Sequence, residues 1–128
     1  MAGSLSRVTS ESTARAYLDA VVARDYPGIR SLLDDEFRLR DLSPPGFTEV
    51  GGADEALGNL REFLDIFDSV NLVESDIYDI GAVTYVRARL HFVHEEAGER
   101  ILEQHHLLTI VEGRIQAIDE LCTGLLKT

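Results

Sequence analysis

The chain has 128 residues with 23 acidic and 12 basic side chains, a formal charge of −11. That length suits one domain, residues 1–128, able to bury roughly 65–70% of the surface its unfolded form exposes. The charge repels phosphate backbones and anionic lipid, so neither nucleic acid nor a membrane surface is an expected partner. Cys122 is the only cysteine, which excludes an intramolecular disulfide and suits a reducing compartment. The opening MAGSLSRVTSES lacks a basic start followed by an apolar run, and no stretch approaches the roughly 20 apolar residues a membrane span needs. A cytoplasmic, soluble protein is expected.

Residues 1–8 read as a loose leader, after which Thr9 or Ser10 caps a first helix with Glu11 in its first turn. Ala14, Tyr17, Leu18, Val21 and Val22 follow the i, i+3, i+4, i+7, i+8 rule and share one stripe facing a core. Asp25-Tyr26-Pro27 ends this helix and begins a short one, with Pro27 at its first position and Ile29, Leu32 and Leu33 on its buried side. Asp34-Asp35-Glu36 forms the exposed end. A strand follows in which Phe37, Leu39 and Asp41 alternate with Arg38 and Arg40, so a strand that buries Phe37 and Leu39 carries Asp41 inward too. A carboxylate on an apolar face is the anomaly of this segment. Ser43-Pro44-Pro45-Gly46 marks a loop.

Gly51-Gly52 precedes a third helix with Asp54 and Glu55 in its first turn and an apolar stripe of Ala56, Leu57, Leu60, Phe63, Leu64 and Phe67. Gly58 within it suggests close packing, since a mid-helix glycine costs about 1 kcal/mol relative to alanine. Residues 72–80, 82–94, 100–111 and 114–122 are rich in β-branched and aromatic side chains and read as strands, with Glu112-Gly113 as a two-residue hairpin turn. In the second of these, Val86, Ala88, Leu90 and Phe92 face the helices, while Tyr85, Arg87, Arg89 and His91 face away. In the third, Leu102, Gln104, His106, Leu108 and Ile110 share a face against Glu103, His105, Leu107, Thr109 and Val111. Parity in the last strand is open, because Gln116, Ile118, Glu120 and Cys122 compete with Ile115, Ala117, Asp119 and Leu121.

The helix AYLDAVVARD, the short helix YPGIRSLLDDEF and the strand end RLRD, followed by GGADEALGNLREFLDIF and a closing EGRI hairpin, resemble the nuclear-transport-factor-2-like superfamily. Its members include ketosteroid isomerases, SnoaL-type polyketide cyclases, scytalone dehydratase and limonene epoxide hydrolase. The resemblance implies an α+β cone: three N-terminal helices packed on a curved antiparallel β-sheet, enclosing a pocket. It aligns Tyr17 with the oxyanion-binding tyrosine and Asp41 with the general base of the isomerases, and it favours Glu120 inward. The isomerases' second oxyanion donor, a protonated aspartate, has no counterpart here. That region offers Gln104, His105 and His106, and Leu42 replaces the proline that usually follows the base.

Catalytic candidates are therefore Asp41, Tyr17 and His106, with Gln104, Glu120, Phe37, Phe63, Val86, Leu90 and Leu108 as substrate-binding candidates. The implied chemistry is proton abstraction next to a carbonyl, as an isomerase or polyketide cyclase-like enzyme acting on a hydrophobic small molecule. Each residue also has a plainer reading. Tyr17 is a core tyrosine, Asp41 a turn former, His106 a packed histidine and Glu120 a salt-bridged strand end. The corresponding function is a non-catalytic dimeric domain that binds a hydrophobic ligand. Epoxide hydrolysis needs an inward arginine, and Arg87 and Arg89 face outward. No metal is expected, since His91 and His94 point to opposite faces, as do His105 and His106, and no motif indicates a cofactor. The outer sheet face, with Tyr85, His91, Leu107, Thr109 and Val111, is apolar enough to suggest a homodimer in which Arg87 and Arg89 pair with acids such as Glu103 across or beside the interface.

Overall fold

A computed structural model describes residues 9–44 and 46–128. The leader expected over 1–8 lies outside the described residues. Helix α1 (Ser10–Ala23) opens on a capping box in which the Thr9 hydroxyl accepts the Ser12 N–H and the Ser12 hydroxyl accepts the Thr9 N–H. It ends at Arg24, whose backbone is left-handed. The Arg24 guanidinium donates to the carbonyls of Leu64 and Phe67 at 3.2 and 2.7 Å, satisfying the open C-terminal end of a distant helix. Helix α2 (Tyr26–Leu32) is capped by Asp25, which accepts the Gly28 N–H, and carries Pro27 in its first turn. Helix α3 (Ala53–Leu64) begins with Asp54 and Glu55, the charge that its N-terminal dipole prefers.

The strands are β1 (Leu33–Asp41), β2 (Thr48–Gly51), β3 (Ser69–Asp79), β4 (Thr84–His94), β5 (Gly98–Val111), β6 (Arg114–Cys122) and β7 (Leu126–Lys127). They form one sheet in the order β2-β1-β6-β5-β4-β3, with β7 added to β5. Leu33 through Glu36, expected in the short helix, instead open β1. The short strands β2 and β7 carried no recognisable pattern. Their residues are mostly exposed, so nothing selects an alternation. Every pairing is antiparallel except β1 with β6. These two come from opposite ends of the chain, and no hairpin constrains their direction.

The three helices cover one face of the sheet, and the core lies between. Leu18, Val21, Ile29 and Leu64 from the helices meet Phe37, Val86, Leu90, Phe92, Leu108 and Ile118 from the strands. Phe63, Phe67 and Phe92 form an edge-to-face and tilted aromatic cluster, with centroids 4.6 to 5.7 Å apart. The β5–β6 hairpin turns at Glu112 and Gly113, both at positive φ, the backbone that a two-residue turn between twisted strands requires. Gly58 is exposed, and a Cβ there meets nothing within 4 Å. Close packing therefore does not explain this glycine.

Candidate functional site

Register places the polar residues in a row. Asp41 on β1 pairs with Glu120 on β6, which pairs with His106 on β5. One step along, Cys122 pairs with Gln104. Residues opposed on neighbouring strands share a face, so Asp41, Glu120 and His106 all stand on the helix-covered side. The parity of β6 is decided by a bulge. Thr109 pairs with Ala117 while Ile110 pairs with Ile115, leaving Gln116 as the extra residue. Ile115 and Ile118 are thereby both buried despite odd spacing, and Glu120 falls on the inner face.

A cavity of about 70 Å³ opens between helices and sheet. Tyr17, Gln104, His106 and Glu120 are the polar groups in its wall, and Phe37, Phe63, Val86, Leu90 and Leu108 are among the apolar ones. Asp41 is not part of that wall, a correction to the sequence reading. Strand alternation does turn it to the inner face, but its Oδ1 accepts the Ser43 N–H at 2.9 Å and so bends toward its own loop. The Ser43 hydroxyl in turn accepts the Cys122 N–H at 2.7 Å, and the Leu42 N–H donates to the Glu120 carbonyl. Asp41 thus stands beside Glu120 as a half-buried neighbour.

Burial controls the protonation of the group. Desolvation first, and then the Asp41 charge, push the Glu120 carboxyl up to about 7. Burial and the neighbouring His105 pull His106 down to about 4, against an opposing pull from Asp41, so it is neutral at ordinary pH. The Tyr17 phenol is raised by burial and by Glu120 and stays protonated. His106 Nε2 lies 3.0 Å from the Gln104 Oε1. An acceptor there fixes the Nε2–H tautomer and leaves Nδ1 as a bare acceptor. That buried Nδ1 has no hydrogen-bond partner, and Glu120 Oε2 is 3.8 Å away. A protonated phenol, a carboxyl that titrates near neutrality and a basic ring nitrogen therefore converge on an apolar chamber, the composition of a small-molecule site. Among the described residues, no group of three His, Cys, Asp or Glu side chains could hold a metal ion.

The sequence model for the SnoaL-like domain matches residues 14–118. The chain belongs to this family. Its fold is that of the nuclear-transport-factor-2-like superfamily, as solved structures also show. A protein described as a SnoaL-like polyketide cyclase from Shewanella putrefaciens superposes with a TM-score of 0.76 at 14% identity, over 94% of this chain and 84% of that one. An epoxide hydrolase of M. tuberculosis described as LEH-like gives 0.73 at 15%, over 88% and 81%. An NTF2-like protein of unknown function from Burkholderia pseudomallei gives 0.71 at 18%, over 88% and 90%. At such identities the likeness is one of fold. No curated protein matches the sequence.

Within this SnoaL-like domain the arginines stay outside the chamber. Arg87 reaches Asp76 at 3.1 Å and Glu103 at 3.0 Å and also pairs with Glu74, while Arg89 reaches Glu103 at 3.3 Å. These pairs, including the expected ones with Glu103, form within one chain on the outer face of the sheet. Cross-strand registry of acids and arginines on the outer face is enough to satisfy them. Sequence reasoning ranked Glu120 below Asp41 because the bulge that turns it inward leaves no trace in the alternation of β6.

Proposed function

We propose that this SnoaL-like domain is an acid–base enzyme that moves a proton next to the carbonyl of a small hydrophobic substrate. Glu120 is the proton carrier. Its ionised form takes a proton from the carbon beside the carbonyl, and the Tyr17 hydroxyl donates a hydrogen bond to the oxygen on which the enolate charge develops. Return of the proton to another carbon makes the reaction an isomerisation. Attack of the enolate carbon on a second carbonyl makes it an aldol ring closure, as in a polyketide cyclase. His106 accepts a hydrogen bond from substrate through Nδ1, and Asp41 acts through Glu120 by raising its proton affinity. The observation that carries this reading is the Glu120 carboxyl, 14% exposed in the wall of the same chamber as Tyr17, where desolvation raises its proton affinity.

The chamber volume narrows the substrate. About 70 Å³ is about half of the roughly 150 Å³ that takes up benzene in an engineered cavity, so a fused-ring substrate requires the chamber to widen. This supports the second reading, a non-catalytic domain that holds a small hydrophobic ligand. The two part on one measurement, deuterium uptake by the α-carbons of acetone or 2-butanone in D₂O, followed by NMR. Exchange above the buffer rate that disappears in Glu120→Gln supports the enzyme, and exchange at the buffer rate across a panel of ketones removes it.

We further propose a homodimer through the outer face of the sheet. Leu107, Val111 and Leu121 are exposed there, and Tyr78 stacks on Tyr85 with centroids 6.1 Å apart, beside the charge lattice of Arg87.

A further inference from the structure

The chamber contains acceptors and negative charge without a cation. None of the residues in its wall is Lys or Arg, and Arg40, Arg87 and Arg89 are spent on acids of the outer face. The groups that face Glu120 are Asp41 from β1, Cys122 from its own strand, Tyr17 from α1 and His106 from β5, with His105 behind the sheet. The walls from α2 and α3 are wholly apolar. Two carboxylates are therefore adjacent, and the one imidazole near them is held neutral. Independently, His106 is 8% exposed and its Nδ1, fixed as an acceptor by Gln104, has no partner. Glu120 Oε2 and His106 Nδ1 are 3.8 Å apart, so one donor atom at ordinary hydrogen-bond distance from each reaches both.

We propose that the chamber binds a small primary alkylammonium ion, which donates N–H groups to Glu120 and to His106 Nδ1 and fills the apolar remainder with its alkyl part. A hydroxyl has one hydrogen for two acceptors, whereas an ammonium has three and also supplies the missing charge. The charge of −11 on the whole chain attracts a cation. The volume limits the ion to about four heavy atoms. The inference shares its chamber with the proton-transfer reading and adds the charge of the ligand. It holds whether or not the site turns that ligand over.

The test is a titration of the full chain with isopropylammonium chloride and, as a neutral control of the same heavy-atom count, isopropanol, followed by NMR shifts of the His106 and Tyr17 resonances. At pH 8.5 the ammonium is expected to bind at least about tenfold more tightly than the alcohol. At pH 5.5, with Glu120 protonated, that preference should shrink by about tenfold or more. Glu120→Gln should abolish it at both pH values. Equal affinities at pH 8.5, unmoved His106 and Tyr17 resonances, or a preference that survives in the Gln variant each overturn the proposal. If the variant fails to fold, the wild-type pH pair decides alone. Ketone exchange without ammonium binding overturns this inference and leaves the enzyme reading intact, and ammonium binding without exchange does the reverse.

Discussion

Glu120 Oε2 stands 3.8 Å from His106 Nδ1, and the two side chains depart from their ordinary protonation in opposite directions. Glu120 rises from 4.5 to about 7 and His106 falls from 6.5 to about 4. Between pH 4.5 and 6.5 the folded pair holds one proton, on Glu120, and the unfolded pair also holds one, on the histidine. Their contributions to the pH dependence of stability therefore cancel in that window. His106 alone makes stability rise with pH, because its unfolded form binds the extra proton. Glu120 alone makes stability fall from about 4.5 to 7, because its folded form does.

Replacing Glu120 with Gln removes one side of that balance. The variant is expected to gain about 3 kcal/mol over wild type above pH 7, where a buried ionised carboxylate no longer has to be held, and to climb in stability between pH 4 and 6.5. Urea unfolding at four pH values measures both. A variant whose stability stays flat through that range contradicts the burial of the pair.

Activity should move the other way. Ketone proton exchange in wild type is expected to rise with pH through a midpoint near 7 and to fall about 10²- to 10⁴-fold in Glu120→Gln, the usual worth of a positioned acid–base group. Tyr17→Phe should cost about 10²-fold, near the low end for one oxyanion donor.

Asp41→Asn separates the residue suggested by the sequence from the one suggested by the cavity. Asn keeps the acceptor for the Ser43 N–H but removes the charge that raises Glu120. The pH midpoint should shift below 7 while the plateau rate changes less than about tenfold. A loss of 10² or more at every pH returns the role of base to Asp41.

Gly58→Ala is expected to stabilise the fold by about 1 kcal/mol, because the position lies mid-helix, is exposed, and has open space where the Cβ goes. Chemical denaturation reads this directly, and an unchanged midpoint contradicts it.

Sedimentation equilibrium at micromolar concentration should give twice the 14.2 kDa of one chain. Leu107→Glu, at a position 39% exposed on the outer face, should return the protein to monomer, since an unpaired charge at the centre of an interface is costly. A wild type that sediments only at 14.2 kDa removes the dimer.

Local periodicity in the sequence determined the helices, the long strands and the sides they present. Tyr17 lies in an apolar stripe with a period of 3.6, and Gln104 and His106 alternate with residues that point outward, so their inward placement needed only the geometry of one element. The Glu112-Gly113 turn was legible for the same reason. Which of Asp41 and Glu120 stands in the chamber wall belonged to the tertiary structure alone. It depends on an extra residue at Gln116, visible only against β5, and on a hydrogen bond between Ser43 and Cys122, 79 positions apart. The parallel pairing of β1 with β6 brings the two carboxyls together, and burial between helices and sheet then raises the proton affinity of Glu120. None of these is a property of a segment, because desolvation and charge coupling arise only when distant strands share a face.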